Sequence, residues 1–455
     1  MKNGKRSSFS GKLGYVLAAA GASVGLGNIW RFPYLAAKYG GGIFLIIYIV
    51  LALTFGYTMI VAETAIGRMT RKSPVGAFKS FGKKKWLSFG GWINAVIPVL
   101  IVPYYSVIGG WVIKYLVEYF RGNAKLLAED GYFTDFISNG VSTELCFVAF
   151  CAFTLIIIFA GVQNGIERVS KIMMPILIVL SVIIAVYSVT RPGALEGVKY
   201  FLVPNVKNFS WMTVVAAMGQ MFYSLSIAMG ILITFGSYMK KDTAIEDSTR
   251  NVEIFDTGIA IMAGLMIIPA VFAFSGGDPD TLQAGPSLMF ITIPKVFQNM
   301  GFGTVIGIVF FLLVLFAAVT SSIALTESAV STFEDELGWG RKKATVLVGV
   351  IMLVLGSLSS LGYGPLAGIK IIGMQFLDLF DFLTNSVMMP IAALLTSLLV
   401  SRVVGIDKIE DEIIHGESAF RRKKVFVVMI KYLCPVFAII ILLSSVANAL
   451  GWIKM

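Results

Sequence analysis

Oxygen donors and helix-breaking residues inside apolar runs are the first chemical signal in this chain. Residues 21–28 read Gly-Ala-Ser-Val-Gly-Leu-Gly-Asn within an otherwise apolar segment. Glycine and asparagine cost a helix up to about 1 kcal/mol each relative to alanine, so a helix entering this stretch tends to stop and restart. A break frees carbonyl oxygens, which suit a hard cation, and N–H groups with partial positive charge, which suit a carboxylate. Taken alone, the stretch fits a second account equally well, because Gly21 and Gly25 at four-residue spacing also form a helix-contact motif. Residues 219–230, Gly-Gln-Met-Phe-Tyr-Ser-Leu-Ser-Ile-Ala-Met-Gly, interrupt another apolar run with a glutamine, two serines and glycines. Serine back-bonding in an ordinary span is the plainer alternative there. Asp256 stands at the start of a further apolar run. An ionised carboxylate at that depth costs on the order of a few kcal/mol and usually has a partner or a function. The competing account is a helix N-terminal aspartate near the inner surface.

The elements that must position these groups are membrane helices. Of the 455 residues, 57% are hydrophobic and 14% charged, an apolar excess beyond what one soluble core absorbs. Segments long enough to cross a bilayer fall near 11–37, 42–66, 89–118, 144–161, 170–190, 212–238, 251–275, 302–333, 344–360, 370–401 and 425–450. The basic start at Lys2, Lys5 and Arg6 resembles a secretory signal, but no small-residue cleavage site follows, so the first run is a span. The formal charge of +11 follows from Lys and Arg in short loops, which favours membrane topology over nucleic-acid binding. Arg68, Arg71, Lys72, Lys79, Arg168, Lys240, Lys241 and the basic residues of 421–424 fall on one side. That bias predicts a cytoplasmic N-terminus and, with an odd number of spans, an extracytoplasmic C-terminus. Cys146, Cys151 and Cys434 lie in apolar segments, with neither disulfide nor metal-ligand spacing. No metal spacing, nucleotide loop or nucleophile constellation points to an enzyme.

The two interruptions occupy corresponding places in two sets of five spans. That placement is the sequence pointer to an inverted-repeat transporter, with the binding site at the breaks. The expected fold is an all-α polytopic membrane protein of about eleven transmembrane helices, a five-plus-five inverted repeat with helices 1 and 6 unwound at mid-membrane. The first repeat spans 1–190 and the second 191–405, with an outer segment at 276–301 as lid or simple cap. Residues 406–455 form an inner loop and helix 11.

Residues 21–33, which continue the first break with Ile-Trp-Arg-Phe-Pro, and the triplet Gly40-Gly41-Gly42 resemble the first-helix signature of the neurotransmitter:sodium symporter family. Residues 220–230, Thr320-Ser321-Ser322, Glu334-Asp335-Glu336-Leu337, Asp378 with Asp381, and Gly165 with Pro175, nine residues between them, extend the resemblance through nearly the whole chain. It is similar in particular to the bacterial amino acid transporters of that family, the leucine and multi-hydrophobic subgroups. The resemblance implies sodium-driven import of an amino acid. The chain stops after helix 11, unlike twelve-helix members.

By the same resemblance, one sodium takes the carbonyls of Gly21, Val24 and Ala317 and the hydroxyls of Thr320 and Ser321. The other takes the Ala22 carbonyl, Asn28, Ser224 and Asp256, completed by the substrate carboxylate. Asp256 supplies a negative charge that animal members obtain from chloride, so transport is expected to need sodium and not chloride. Tyr105, with the N–H groups of Leu26 and Gly27 beside Gly25, matches the carboxylate-binding position. The carbonyls of Ala22, Tyr223, Ser224 and Ser226 face the substrate ammonium, and Ile101, Tyr223, Met229, Ser321 and Leu325 form the side-chain pocket. Phe commonly stands where Met229 does, and methionine re-packs around different shapes, so bulky aliphatic or aromatic L-amino acids are expected. Arg31 and Asp381 match the outer gate, with Tyr223 as lid. Arg6, Phe9 and Asp335 match the inner closure, Phe9 replacing the usual Trp. Glu63 stands where the family braces the broken first helix, and a proton site is its alternative. The Gly165–Pro175 spacing suggests an inner half of helix 5 able to unwind. A non-transporting receptor or a sodium-conducting channel on the same fold is the different-class alternative. The partners implied are sodium ions, a small L-amino acid and the lipid bilayer of the cell membrane, and no nucleic acid.

Overall fold

A computed structural model of the chain describes residues 7–276, 285–449 and 452. Arg6 and residues 277–284 of the outer segment lie outside the described residues. Each apolar segment of the sequence has a helical counterpart. The first, α1, is a bent pair, Lys12–Ser23 and Gly27–Lys38, whose halves meet at 52°. Then follow α2 (Gly42–Thr70), α3 (Lys85–Phe120), α4 (Gly140–Phe159) and α5 (Val162–Val189). The second interrupted helix, α6, comprises Trp211–Ser224 and Ile231–Tyr238. The rest are α7 (Ile245–Ser275), α8 (Gly303–Leu337), α9 (Arg341–Leu361), α10 (Phe376–Val404) and α11 (Lys423–Ala449). Among the described residues there is no β-strand, only two isolated bridges. A spanning chain must satisfy its backbone within each segment, which helices do.

Burial separates centre from periphery. The apolar windows of α3 and α8 are 78% and 72% buried, those of α2 and α7 61%, and that of α11 only 33%. All these windows are strongly apolar, so hydropathy alone does not distinguish protein-facing from lipid-facing helices. What does distinguish them is polar content: α8 buries Thr320, Ser321, Ser322, Thr326, Glu327 and Ser328, groups that need partners and therefore protein neighbours. The outer segment carries a short helix, Leu288–Gln298. Phe290 there stacks on Phe133 at 5.1 Å and meets Trp111 and Tyr115 edge-on, while its carbonyl accepts the Tyr115 hydroxyl at 2.8 Å.

One set of helix ends is tied by a buried charge cluster. Arg68, fully buried at the end of α2, donates from Nε to Glu412 Oε1 at 2.7 Å and from Nη1 to the Thr243 carbonyl at 2.5 Å, and Nη2 bonds the Glu412 carbonyl. Lys241 adds a second cation at 2.6 Å from Glu412, which rides on the helix Ile406–Ile414. Removing one partner of a buried pair costs about 3–5 kcal/mol, because the other charge is left uncompensated. Arg68→Ala is therefore expected to lower the melting temperature of the detergent-solubilised protein, with Arg68→Lys recovering only part of the loss.

Candidate functional site

The two breaks face each other at the centre of the bundle, and three groups of donors converge on them. The first surrounds Asp256. The α7 helix starts at Ile245, so Asp256 lies about three turns inside it and is fully buried rather than placed at a helix start. Its Oδ1 accepts from Asn28 Nδ2 at 2.8 Å and from Ser224 Oγ at 2.9 Å; its Oδ2 accepts from the Tyr48 hydroxyl at 2.9 Å. The carboxylate thus joins the first break, the end of the first half of α6, and α2. Asn28 Oδ1 in turn accepts the Gly25 N–H at 3.3 Å, which holds the chain in its turn. Tyr48 is the residue that sequence reasoning missed. The available signal was a lone phenol in an apolar run, since a buried tyrosine hydroxyl usually finds a partner.

The second group surrounds Ser321 on α8. Its hydroxyl lies 3.3, 3.2 and 3.4 Å from the carbonyl oxygens of Gly21, Ala22 and Val24. One hydroxyl hydrogen cannot serve three carbonyls, so this is an oxygen-rich corner with spare acceptor capacity, a donor set suited to a hard cation. Thr320 beside it bonds the Phe316 and Ala317 carbonyls of its own helix at 3.0 and 3.2 Å. The Ala22 oxygen also accepts the Ser226 hydroxyl at 2.9 Å, linking the two breaks directly.

The third group lines a small cavity of about 30 Å³ between these corners. Ala22, Gly25, Leu26, Gly27, Ile101, Tyr105, Tyr223, Ser226, Met229, Ser321 and Leu325 all border it, and of the expected substrate residues only Ser224 does not. Ser224 instead turns its hydroxyl to Asp256. The Leu26 N–H donates to the Tyr105 hydroxyl at 3.2 Å, so the N–H freed by the break and the phenol meet at one wall. Gly25 is required there by space: a β-carbon would sit 2.7 Å from Ser321 Oγ and 3.0 Å from the Tyr105 hydroxyl. Gln220 adds a bond from Nε2 to the Gly27 carbonyl at 3.0 Å.

Next to the cavity opens a vestibule of about 450 Å³, and Tyr223 borders both spaces. Arg31 and Asp381 both line the vestibule, yet among the described residues no ion pair within 4.0 Å joins them. The Arg31 guanidinium lies 5.4 Å over the Tyr223 ring, and Asp381 accepts from Tyr104 at 3.2 Å and Asn385 at 2.5 Å. Phe9, expected at the inner closure, is buried edge-on among Tyr15, Phe235 and Tyr238, with ring centroids 5.6–6.1 Å apart. Asp335 accepts the Ser73 N–H at 2.6 Å; its expected partner Arg6 is outside the described residues. Glu63 corrects one expectation: its Oε1 accepts the Ala228 N–H at 2.8 Å, so the hydrogen bond it makes holds the second break and not the first.

Two interrupted helices around a small central cavity, in a bundle of apolar helices, define a multi-pass membrane transporter. A model of the sodium:neurotransmitter symporter family matches residues 6–127 and 134–452. The chain belongs to that family, whose members are transporters and not enzymes, and it is a sodium-dependent symporter. It is 34% identical over 450 residues to the uncharacterized sodium-dependent transporter YhdH of Bacillus subtilis, covering 98% of this chain and 99% of that one. It is 26% identical over 474 residues to the sodium- and chloride-dependent GABA transporter 2 of Homo sapiens, covering 90% and 75%. The crystal structure of MhsT in complex with L-phenylalanine superposes with a TM-score of 0.86 at 35% identity, covering 97% of this chain and all of MhsT.

Proposed function

We propose that the protein imports bulky hydrophobic L-amino acids together with two sodium ions, without chloride, by alternating access. The observation that carries this reading is the division of the central cavity's lining. Its polar atoms gather at the two breaks, while Ile101, Met229 and Leu325 supply an apolar wall. A zwitterion with an apolar side chain matches that division. Its carboxylate belongs beside Tyr105 and the Leu26 and Gly27 N–H groups, and its ammonium beside the Ala22, Tyr223, Ser224 and Ser226 carbonyls. One sodium belongs among the Gly21, Val24 and Ala317 carbonyls with Thr320 and Ser321. The other belongs beside Ala22, Asn28, Ser224 and Asp256, whose buried carboxylate makes a chloride ion unnecessary for charge balance. The likeness to MhsT, crystallised with L-phenylalanine, supports the substrate class.

In this scheme residues 1–190 and 191–405 act as the two repeats, with the N-terminus cytoplasmic and the C-terminus extracytoplasmic. Tyr223 with Arg31 and Asp381 closes the outer path, and Phe9 with Arg6 and Asp335 the inner. Reconstituted in liposomes, the protein is expected to accumulate labelled leucine or phenylalanine under an inward sodium gradient and not under potassium. A channel cannot concentrate a neutral solute, so accumulation separates the readings. Replacing chloride by gluconate should leave uptake unchanged. Chloride dependence, or preference for glycine, charged amino acids or amines, would overturn the proposal.

A further inference from the structure

Asp381 uses its two carboxylate oxygens unequally. Its Oδ1 accepts from the Tyr104 hydroxyl at 3.2 Å and from Asn385 Nδ2 at 2.5 Å, and Asn385 Nδ2 also donates to the Tyr104 hydroxyl at 3.3 Å. A carboxylate only accepts and an amide nitrogen carries two hydrogens, so both hydrogens of Asn385 are used inside this triangle, as is that of the phenol. Among the described residues no hydrogen bond or ion pair takes Asp381 Oδ2. The arrangement leaves Asn385 Oδ1 buried without a partner, and an unsatisfied buried acceptor is uncommon enough to need a reason. Asn385 sits in the π-helical turn Phe382–Met388, directly after Asp381; such turns are frequent at functional sites. Asp381 and Arg31 line one vestibule, from α10 and α1, and Asn385 is not part of that lining.

We infer that Asn385 is a positioning residue for closure of the outer path: by tying Oδ1 of Asp381 to itself and to Tyr104, it fixes the carboxylate so that Oδ2 alone is presented to Arg31. The inference rests on the closure proposed for Tyr223, Arg31 and Asp381, and deepens it. Arg31 lies 5.4 Å over the Tyr223 ring and carries five N–H donors, so it can take Oδ2 while the carboxylate stays where it is. Ordering a free side chain opposes such a contact; here the acceptor is ordered beforehand. Asn385 acts through Asp381 and need not touch Arg31 or the substrate.

The test is the rate at which labelled leucine or phenylalanine, bound with sodium, leaves the purified full-length protein into excess unlabelled amino acid. Asn385→Ala is expected to speed dissociation about tenfold, the scale of one hydrogen bond to a charged group. Asn385→Leu fills similar space without a donor and should be equally fast. Asn385→Gln keeps an amide able to bond an aspartate four residues away on a helix, and should restore most of the wild-type rate, which a packing role would not require. Tyr104→Phe removes the other donor to Oδ1 and should also be fast, which keeps the test open if Asn385→Ala does not fold. In an Asp381→Ala background, already fast, Asn385→Ala should add less than about twofold, because it acts through that carboxylate. Slower dissociation in Asn385→Ala overturns the inference, since the amide would then be holding the carboxylate away from Arg31. An equal acceleration with and without Asp381 overturns it as well. If Asp381→Ala speeds dissociation and Asn385→Ala does not, the inference falls and the closure reading stands. If Asp381→Ala leaves the rate unchanged, the closure reading falls and takes the inference with it. A wild type that holds neither amino acid with sodium overturns the substrate reading, and the inference with it.

Discussion

Asp256→Ala is expected to weaken sodium binding by about 1,000-fold, roughly 4 kcal/mol, and to abolish sodium-driven uptake. Three donors from three helices, Asn28, Tyr48 and Ser224, converge on this one carboxylate. Hydrogen bonds to a charged group are worth about 1.5–3 kcal/mol each, and deleting the shared acceptor leaves all three donors buried without it. Because Asn28 also fixes the Gly25 N–H, the loss should spread to substrate binding through the first break. Tyr48→Phe provides the graded control. It removes one donor and keeps the charge, so sodium binding should fall by about 10- to 100-fold, on the scale of one such bond. Equilibrium binding of labelled sodium or a sodium-dependent fluorescence change reads both. Wild-type sodium affinity in Asp256→Ala would remove this carboxylate from the ion site, leaving it a structural tie between α2 and α7.

Gly25→Ala is expected to reduce sodium-dependent substrate binding by about 100-fold while leaving most of the protein folded. The added β-carbon would stand 2.7 Å from Ser321 Oγ and 3.0 Å from the Tyr105 hydroxyl. Overpacking of this kind costs about 1–3 kcal/mol. Here the displaced groups are the Ser321 corner and the phenol at the cavity wall, so the cost falls on ion and substrate together. Ser321→Ala in the same background removes one of the clashing atoms. If packing is the cause, the double variant should recover part of the affinity that Gly25→Ala loses, after allowance for Ser321→Ala alone. No recovery would assign the loss to backbone conformation rather than to contact.

Much of this architecture is written locally. Apolar runs of spanning length mark the helices, and the glycines and asparagine of residues 21–28 mark the first break, because helix propensity depends on near neighbours. The second interruption is marked by Gln220, Ser224, Ser226 and Gly230 in the same way. Eleven of the twelve expected substrate residues border one space: seven stand at the two breaks, and Ile101, Tyr105, Ser321 and Leu325 come from α3 and α8. Pairings across the bundle were not legible. Tyr48 reaches Asp256 across 208 positions, and nothing in the run around Tyr48 names its acceptor. Glu63 is visible as a buried carboxylate, but only the packing of α2 against the second break decides that it takes the Ala228 N–H. Arg31 and Asp381 are visible as charges in apolar helices, yet the fold sets Arg31 over the Tyr223 ring and gives Asp381 to Tyr104 and Asn385. Sequence by itself determined where the chain must break and which residues stand at the breaks, because those depend on local backbone preference and hydropathy. The tertiary structure decided which buried polar group satisfies which, because that depends on how helices distant in the chain come to lie side by side.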